Sequence, residues 1–83
     1  MSDPYMPDWN TAPDWANYHT IDPDGQGVWW SNAGIVLGPD GWYHDSDTIM
    51  RLVMDTTMYA INPFDWQNSL RARPDGQWRS LVR

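Results

Sequence analysis

The tripeptide Pro-Asp-Gly occurs three times in this chain, and each copy is followed within a few residues by a tryptophan. The copies occupy residues 23–25, 39–41 and 74–76. Proline presets the backbone for a tight turn, aspartate caps the turn, and glycine accepts the left-handed conformation that closes it. Because the copies are unevenly spaced, they indicate repeated turns between strands rather than a solenoid repeat. The chain is therefore predicted to reverse direction often.

The charged residues are of only two types, since all eleven acids are aspartate and all five bases are arginine. Glutamate and lysine suit exposed helices, whereas aspartate favours turns and caps. Their absence favours a protein of strands and turns. The net charge of −6 disfavours binding to nucleic acids and membrane surfaces in general, and it suits a chain that is steered toward a basic partner.

With 83 residues and no cysteine, the chain is predicted to form a single small domain that is stabilised without disulfides. Seven tryptophans and four tyrosines supply apolar surface, because each can bury roughly 150–250 Å². Neither a leader peptide nor an apolar run of membrane-spanning length is visible. We expect a soluble, intracellular protein in which residues 1–14 form an extended arm and residues 15–83 form the globular part.

Alternating and β-prone residues predict an antiparallel meander of three to five short strands. The first strand is expected within residues 15–22 and its return strand within residues 28–30. A second pair is expected within residues 35–37 and 41–44, where the second Pro-Asp-Gly turn separates two short β-prone runs. The tryptophans that follow the turns are expected to enter the core.

Two later segments decide the fold class. Residues 48–61 fit a helix or strands, and we favour strands because threonine and tyrosine are frequent there. Residues 63–72 are predicted as a short helix, with Asn62 as its cap and Pro63 at its first position. The predicted fold is therefore α+β and mainly β, with one short C-terminal helix. The predicted core consists of Trp15, Ile21, Trp30, Val36, Trp42, Leu52, Trp66 and Leu70.

The segment IDPDGQG at residues 21–27 imitates the start of a calcium-binding loop, with Asp22, Asp24 and Gln26 at alternating positions. Position 12 of such a loop requires a bidentate acid, and that position is Ala33 here. The same residues also fit a type I turn, in which Gly25 closes a hairpin with a bulge. We therefore predict a turn and no bound metal.

The run His44-Asp45-Ser46-Asp47 places an imidazole beside two carboxylates, and His19 could join it across a sheet. Metal and general-base sites need several converging groups, and no His-x-x-x-His or paired-cysteine spacing supports one here. A solvated turn is the favoured interpretation. The chain also lacks nucleophile, phosphate-loop and other catalytic motifs. We expect no catalytic residues, no metal and no cofactor, and hence no enzyme.

Three binding hypotheses remain. Aspartates of the two hairpins, together with a tryptophan, could bind a protein by imitating phosphates. The candidate contacts are Asp22, Asp24, Asp40, Trp42, Asp45 and Asp47. Alternatively, Arg71, Arg73 and Arg79 could hold phosphates while tryptophans stack on bases, although the net charge disfavours this. The third hypothesis is self-assembly into a homo-oligomer or a structural component.

The stretches DWNTAPDWANYHTIDPDGQGVWW at residues 8–30 and DWQNSLRARP at residues 65–74 resemble small uncharacterised proteins of tailed bacteriophages and prophages. Those proteins carry Pro-x-Trp-Ala, an Asp-x-Asp-Gly turn before aromatic residues, and Asp-Trp-x-x-Ser-Leu-x-x-Arg-Pro. The matching positions are Pro13, Trp15, Ala16, Asp22, Asp24, Gly25, Trp29, Trp30, Asp65, Trp66, Ser69, Leu70, Arg73 and Pro74. The two stretches make up about two fifths of the chain.

This resemblance implies a phage origin and no established activity. Combined with the small size and acidic charge of the chain, it leads us to expect an accessory protein in the cytoplasm of an infected bacterial host. Such a protein would bind and inhibit a host protein, in counter-defence or in takeover of the host.

Overall fold

The computed structural model describes residues 3–60 and 65–74, and the regular structure within them is β apart from two 3-10 turns. The strands of this part of the chain are β1 (Tyr18–Ile21), β2 (Gln26–Trp30), β3 (Ile35–Leu37), β4 (Trp42–His44), β5 (Leu52–Met58) and β6 (Arg71–Ala72). They form a four-stranded antiparallel sheet in the order β5-β2-β1-β6 and a separate hairpin of β3 and β4. The prediction of a mainly β, antiparallel fold is confirmed. The predicted meander of three to five strands is wrong, because the described residues form six strands in two sheets and β5 and β6 flank the β1–β2 hairpin.

The β1–β2 hairpin forms where the first Pro-Asp-Gly turn predicts it. The Gly25 N–H donates to the Asp22 carbonyl at 2.9 Å, and Gly25 has a φ of 89°, in the left-handed region. The Gln26 N–H donates to the Asp24 carboxylate at 3.0 Å. A side chain at residue 25 would be strained there, which explains the glycine. The predicted turn is confirmed.

One face of the four-stranded sheet is covered by the N-terminal segment, and we call it the closed face. Trp29 of β2 lies at its centre, beside His19 of β1, with ring centroids 4.4 Å apart. Trp9 packs on Trp29 at 5.3 Å, and Ala16 is buried in the same cluster. Trp9 thus docks the N-terminal arm on this face, and Tyr5 is buried as well.

The opposite face is covered only in part, by the β3–β4 hairpin, and we call it the cleft face. Trp30 lies on this face and donates its indole N–H to the Thr20 hydroxyl at 2.9 Å. Trp42 of the hairpin donates its indole N–H to the Ile21 carbonyl at 3.2 Å. Its ring meets Trp66 edge-on at 6.2 Å. These contacts hold the hairpin beside the sheet.

The predicted core is correct where side chains lie under covered parts of the sheet. Ile21, Trp30 and Trp66 are buried, whereas Trp15 and Trp42 are only partly buried. Indole rings at partly buried positions can keep their N–H groups and edges near water. Tryptophan count alone therefore overstated how many of these rings are fully enclosed.

The prediction is wrong for Val36, Leu52 and Leu70, which are exposed. Val36 lies in the separate β3–β4 hairpin, and Leu52 lies in the edge strand β5, so neither is enclosed from both sides. Apolar, β-prone residues predict strands, but they do not show which strands lie at an edge. The buried cluster was instead completed by residues of the N-terminal arm.

Residues 48–61 contain β5, so the preference for a strand is confirmed over Leu52–Met58, while residue 61 lies outside the described residues. The helix predicted over 63–72 is wrong at its end, because a 3-10 turn at Trp66–Asn68 is followed by β6. Residues 63 and 64 of that prediction lie outside the described residues. No described residue belongs to a helix that is long and apolar enough to cross a membrane.

Backbone pairing with β1 explains why this segment is extended. The Ser69 hydroxyl accepts from the Ile21 N–H at 2.9 Å and donates to the Ile21 carbonyl at 3.0 Å. The Arg73 N–H donates to the Asn17 carbonyl at 2.8 Å. Continuing a helix through this segment would leave the buried polar groups of β1 without these partners.

Candidate functional site

A cleft of about 300 Å³ lies between the cleft face and the β3–β4 hairpin. We call it the intersheet cleft. The sheet contributes Val28, Trp30, Leu52 and Met54 to its walls, and the hairpin contributes Trp42, Tyr43 and His44. Asp22, from the β1–β2 turn, supplies the carboxylate. A mostly apolar concavity with few polar groups is typical of a binding site.

Asp22 is held at the wall of this cleft by the hairpin. Its Oδ1 accepts the backbone N–H of Trp42 at 3.3 Å. Burial raises the pKa of the Asp22 carboxyl, and the nearby charge of Asp24 raises it further. Within residues 3–60 and 65–74, no cationic side chain forms an ion pair with Asp22. This carboxylate is thus partly desolvated and lacks a counter-ion among these residues.

Two Pro-Asp-Gly turns meet at this point of the molecule. A side chain at Gly41 would lie 3.2 Å from Asp22 Oδ1, so the β3–β4 turn adjoins the β1–β2 turn. Asp24 and Asp40 are exposed within these turns. The structure therefore places four predicted contacts at one end of the molecule: Asp22, Asp24, Asp40 and Trp42. We call the three aspartates among them the acidic turn end.

The other two predicted contacts, Asp45 and Asp47, lie at the opposite end of β4. The Asp45 N–H donates to the Gly34 carbonyl at 2.8 Å, and the Asp47 N–H donates to the Asp45 carboxylate at 2.9 Å. Both residues are exposed. They belong to a local turn, in agreement with the interpretation of residues 44–47 as a solvated turn.

Arg71, a candidate for phosphate contact, binds the N-terminal arm instead. Its Nε–H donates to the Asp3 carboxylate at 2.6 Å, and its guanidinium lies 5.7 Å from the Tyr5 ring centroid. The hydrogen bond from Arg71 and that from the Tyr5 N–H lower the pKa of Asp3. Phosphate binding by Arg71 would have to compete with this internal ion pair.

Arg73 is even less available. It is 2% exposed, and its guanidinium donates to the carbonyls of Ala16 at 2.7 Å and Pro13 at 3.0 Å. It also lies 5.0 Å from the Trp9 ring centroid. This placement gives Arg73 a structural role in docking the arm. Arg79, the third candidate for phosphate contact, lies outside the described residues.

A second group of polar side chains lies on the closed face. We call His19, Asp55 and Tyr59 the buried triad. Asp55 of β5 accepts from His19 Nε2–H at 2.9 Å and from the Tyr59 hydroxyl at 2.6 Å. The Thr57 N–H donates to its other oxygen at 3.0 Å. Gly27 is required beside the triad, because a Cβ there would lie 2.7 Å from His19 Nε2.

The protonation of the buried triad follows from its surroundings. Burial lowers the pKa of His19 to about 4, because desolvation outweighs the favourable charge of Asp55. Burial alone raises the pKa of Asp55, but the hydrogen bonds from Tyr59, Thr57 and His19 bring it below its ordinary value. Desolvation and the hydrogen bond to Asp55 raise the pKa of Tyr59. A neutral histidine therefore stabilises a buried aspartate anion.

The buried triad has no route to a substrate. A histidine–aspartate pair can act as a general base only if a substrate reaches it, and His19 is 0% exposed. His44, which the sequence suggested as a companion of His19, lines the intersheet cleft on the other face of the sheet. The pairing of His19 with Asp55 was missed. The sequence signal for this pair is Asp55, an acidic residue in the middle of a β-prone run. Such a residue requires hydrogen-bond donors if it is buried.

No group of three or more histidine, cysteine, aspartate or glutamate side chains is arranged to hold a metal ion in residues 3–60 and 65–74. Comparison with known proteins adds no assignment, because no protein family, curated protein or solved structure matches the chain. The phage resemblance remains a prediction that rests on its two sequence stretches. The intersheet cleft with the acidic turn end is therefore the candidate site on structural grounds.

Proposed function

We propose that this chain is a non-catalytic binding protein that recognises a basic surface of a partner protein. The observation that carries the proposal is the position of Asp22, an aspartate without a cationic partner among the described residues, at the wall of an apolar cleft. Exposed Asp24 and Asp40 lie in the two turns beside it. A partner that supplies positive charge would compensate these carboxylates and cover the apolar walls of the cleft.

The charge distribution supports this choice of partner. Arg71 and Arg73 are bound internally, so they do not neutralise the acidic turn end. The net charge of −6 attracts basic surfaces from a distance and raises association rates. Nucleic acid is disfavoured, since two of its three proposed arginine contacts are engaged within the fold.

The resemblance to phage proteins supports a host protein as the partner. A small chain without catalytic motifs acts most simply by stoichiometric occupation of another protein's surface. Aspartates in turns present carboxylates as a nucleic-acid backbone presents phosphates, so the target would be a basic groove. The proposed setting is the cytoplasm of an infected bacterium, in counter-defence or in takeover of the host.

Self-assembly is the second candidate function, and β5 favours it. This strand lies at the edge of the described sheet, and Val53, Met54 and Met58 are exposed along it. Exposed apolar edge strands are templates for pairing with another chain. Light scattering over a range of concentrations tests this candidate, because a constant mass equal to that of one chain contradicts it.

Affinity capture from lysate of the bacterial host, with paired variants, tests the leading proposal. The test variant is Asp24→Asn/Asp40→Asn, and the matched control is Asp45→Asn/Asp47→Asn, which removes the same charge from the far end of β4. We expect the wild type and the control to retain one protein in stoichiometric amounts. The test variant should retain at least about tenfold less, because steering charges are lost.

Two results would contradict the proposal. If the wild type retains no protein in stoichiometric amounts, the binding function fails. If both variants lose the retained protein equally, net charge alone governs retention and the acidic turn end has no specific role.

A further inference from the structure

We propose that the intersheet cleft is a receptor for one arginine side chain of the partner, with the guanidinium group on the Asp22 carboxylate and on the ring of Trp42. This inference rests on the proposed function and specifies its central contact. The aliphatic part of the arginine would lie along Val28 and Met54 on the sheet wall.

The size of the cleft favours a single side chain. Its volume of about 300 Å³ lies at the lower end of the range for small-molecule sites. Its lining residues are apolar or aromatic apart from Asp22 and His44. A ligand that fits these walls has an apolar stem and one cationic head, which describes arginine and lysine.

The aromatic walls favour arginine over lysine. A guanidinium group is planar and weakly hydrated, so it stacks on aromatic rings and pairs with a carboxylate at the same time. A lysine ammonium group is compact and strongly hydrated, and it gains less from an apolar wall. Trp42 is only partly buried, so part of its side chain is accessible to an incoming group.

The fold itself contains the arrangement that we propose for the cleft. Arg71 is held between the Asp3 carboxylate, at 2.6 Å, and the Tyr5 ring, at 5.7 Å from the centroid. Arg51 lies 4.7 Å from the Trp15 ring centroid. Arg51 and Arg71 thus both lie over an aromatic side chain. The cleft offers the same set of a carboxylate and aromatic rings, with no arginine of the described residues bound to it.

The cleft is also organised before any ligand arrives. Trp42 is fixed by three contacts: its indole N–H binds the Ile21 carbonyl, its backbone N–H binds Asp22, and its ring packs on Trp66. Asp22 is correspondingly oriented by the hydrogen bond that it accepts. Binding therefore requires little ordering of protein side chains, which favours affinity for a small group. Burial raises the pKa of Asp22, because it destabilises the carboxylate form. A bound cation would stabilise that form.

NMR titration of the ¹⁵N-labelled full chain tests this inference with defined probes. The probes are the Nα-acetyl methylamides of arginine, of lysine and of citrulline, the uncharged isostere of arginine. We expect saturable shifts of the Trp42 indole and backbone N–H signals with the arginine probe. The Trp29 indole on the closed face should not shift, and the citrulline probe should bind at least about tenfold more weakly, since it lacks the charge-assisted hydrogen bonds.

Two isosteric variants supply the matched comparison. Asp22→Asn keeps the oxygen that accepts the Trp42 N–H but removes the charge, and it should weaken binding of the arginine probe at least about tenfold. Asp47→Asn removes an exposed charge at the far end of β4 and should change the affinity by less than about twofold. Because the citrulline comparison uses the wild type, the test does not depend on either variant folding.

The inference is overturned if the arginine probe gives no saturable shift, if citrulline binds as well, or if both variants weaken binding equally. Lysine binding as tightly as arginine would overturn the assignment to a guanidinium group. If the arginine probe does not bind but a partner is still captured through Asp24 and Asp40, the proposed function stands. Arginine binding without any captured partner would instead support the cleft and contradict the proposed function.

Discussion

The two faces of the four-stranded sheet treat an aspartate in opposite ways. On the closed face, Asp55 receives hydrogen bonds from three donors and lies under aromatic rings. On the cleft face, Asp22 receives one backbone hydrogen bond at 3.3 Å and lines an open concavity. The pKa of Asp55 is lowered and that of Asp22 is raised. One carboxylate is satisfied within the fold, and the other is left for an external group.

This difference separates stability from recognition within one small sheet. A buried anion with several donors contributes to a unique structure, whereas a partly desolvated anion with one donor lowers stability. The closed face should therefore govern unfolding, and the cleft face should tolerate substitution. Four predictions test this contrast.

Trp29→Ala should give the largest effect. Trp29 is 3% exposed and contacts both Trp9 and His19, so its truncation should lower the free energy of unfolding by about 4 kcal/mol. The matched variant in the β3–β4 hairpin, Tyr43→Ala, should lower it by about 1 kcal/mol or less. Urea denaturation measures both, and equal losses would abolish the distinction between the faces.

Stability should fall on acidification because of His19. The unfolded histidine binds a proton below about pH 6.5, whereas in the folded protein its pKa is about 4. Between these values the unfolded state binds more protons, so this contribution is complete above pH 6.5 and is lost as the pH falls toward 4. The loss should total about 3 kcal/mol.

Urea denaturation at several pH values checks this slope. His19→Gln should flatten the profile in that window, while His44→Gln, at an exposed position of the cleft, should leave it unchanged. A profile that stays as steep in His19→Gln would assign the acid sensitivity to other groups.

Tyr59→Phe should have a smaller effect, confined to one hydrogen bond. The hydroxyl of Tyr59 donates to Asp55 at 2.6 Å, and its removal leaves a buried anion with one donor fewer. The free energy of unfolding should fall by about 2 kcal/mol. Tyr43→Phe is the control on the other face and should change it by less than about 0.5 kcal/mol. No difference between the two variants would mean that Asp55 is satisfied without Tyr59.

Asp22→Asn should give the smallest effect and the opposite sign. Because the pKa of Asp22 is raised, its contribution to stability is present below pH 3.8 and is lost as the pH rises through the raised pKa. At pH 7 the amide should therefore be equally stable or slightly more stable than the carboxylate. Asp24→Asn is the reference in the same denaturation series. A clear loss of stability in Asp22→Asn alone would make Asp22 a structural residue.

Turn chemistry was the most predictable part of the fold. The Pro-Asp-Gly copies at 23–25 and 39–41 predicted both hairpins, because their geometry is decided by a few adjacent residues. The strand at residues 52–58 was also within reach, since threonine and other β-branched residues are concentrated there. The helix predicted near the C-terminus failed where Ser69 binds the backbone of β1 and Arg73 binds that of Asn17 just before it. Local propensity does not encode such long-range pairing.

The candidate site was only half predictable. Asp22 and Trp42 were named from the sequence, yet their meeting depends on how the two hairpins lie together. Nothing in the sequence separated Asp40 from Asp45, although the structure places them at opposite ends of β4. The pairing of His19 with Asp55 spans 36 positions, and its recognition needed the strand order of the sheet.

The contacts that fasten the N-terminal arm have a consequence for the order of assembly. Asp3 and Arg71 are 68 positions apart, and Ala16 and Arg73 are 57 apart. Contacts of such separation close large loops and form late in folding. During synthesis, Trp9 and Trp29 can meet early, but the arginines that fasten the arm emerge well after Trp29. A ribosome-bound chain would therefore expose aromatic surface of the closed face until residue 73 has been released.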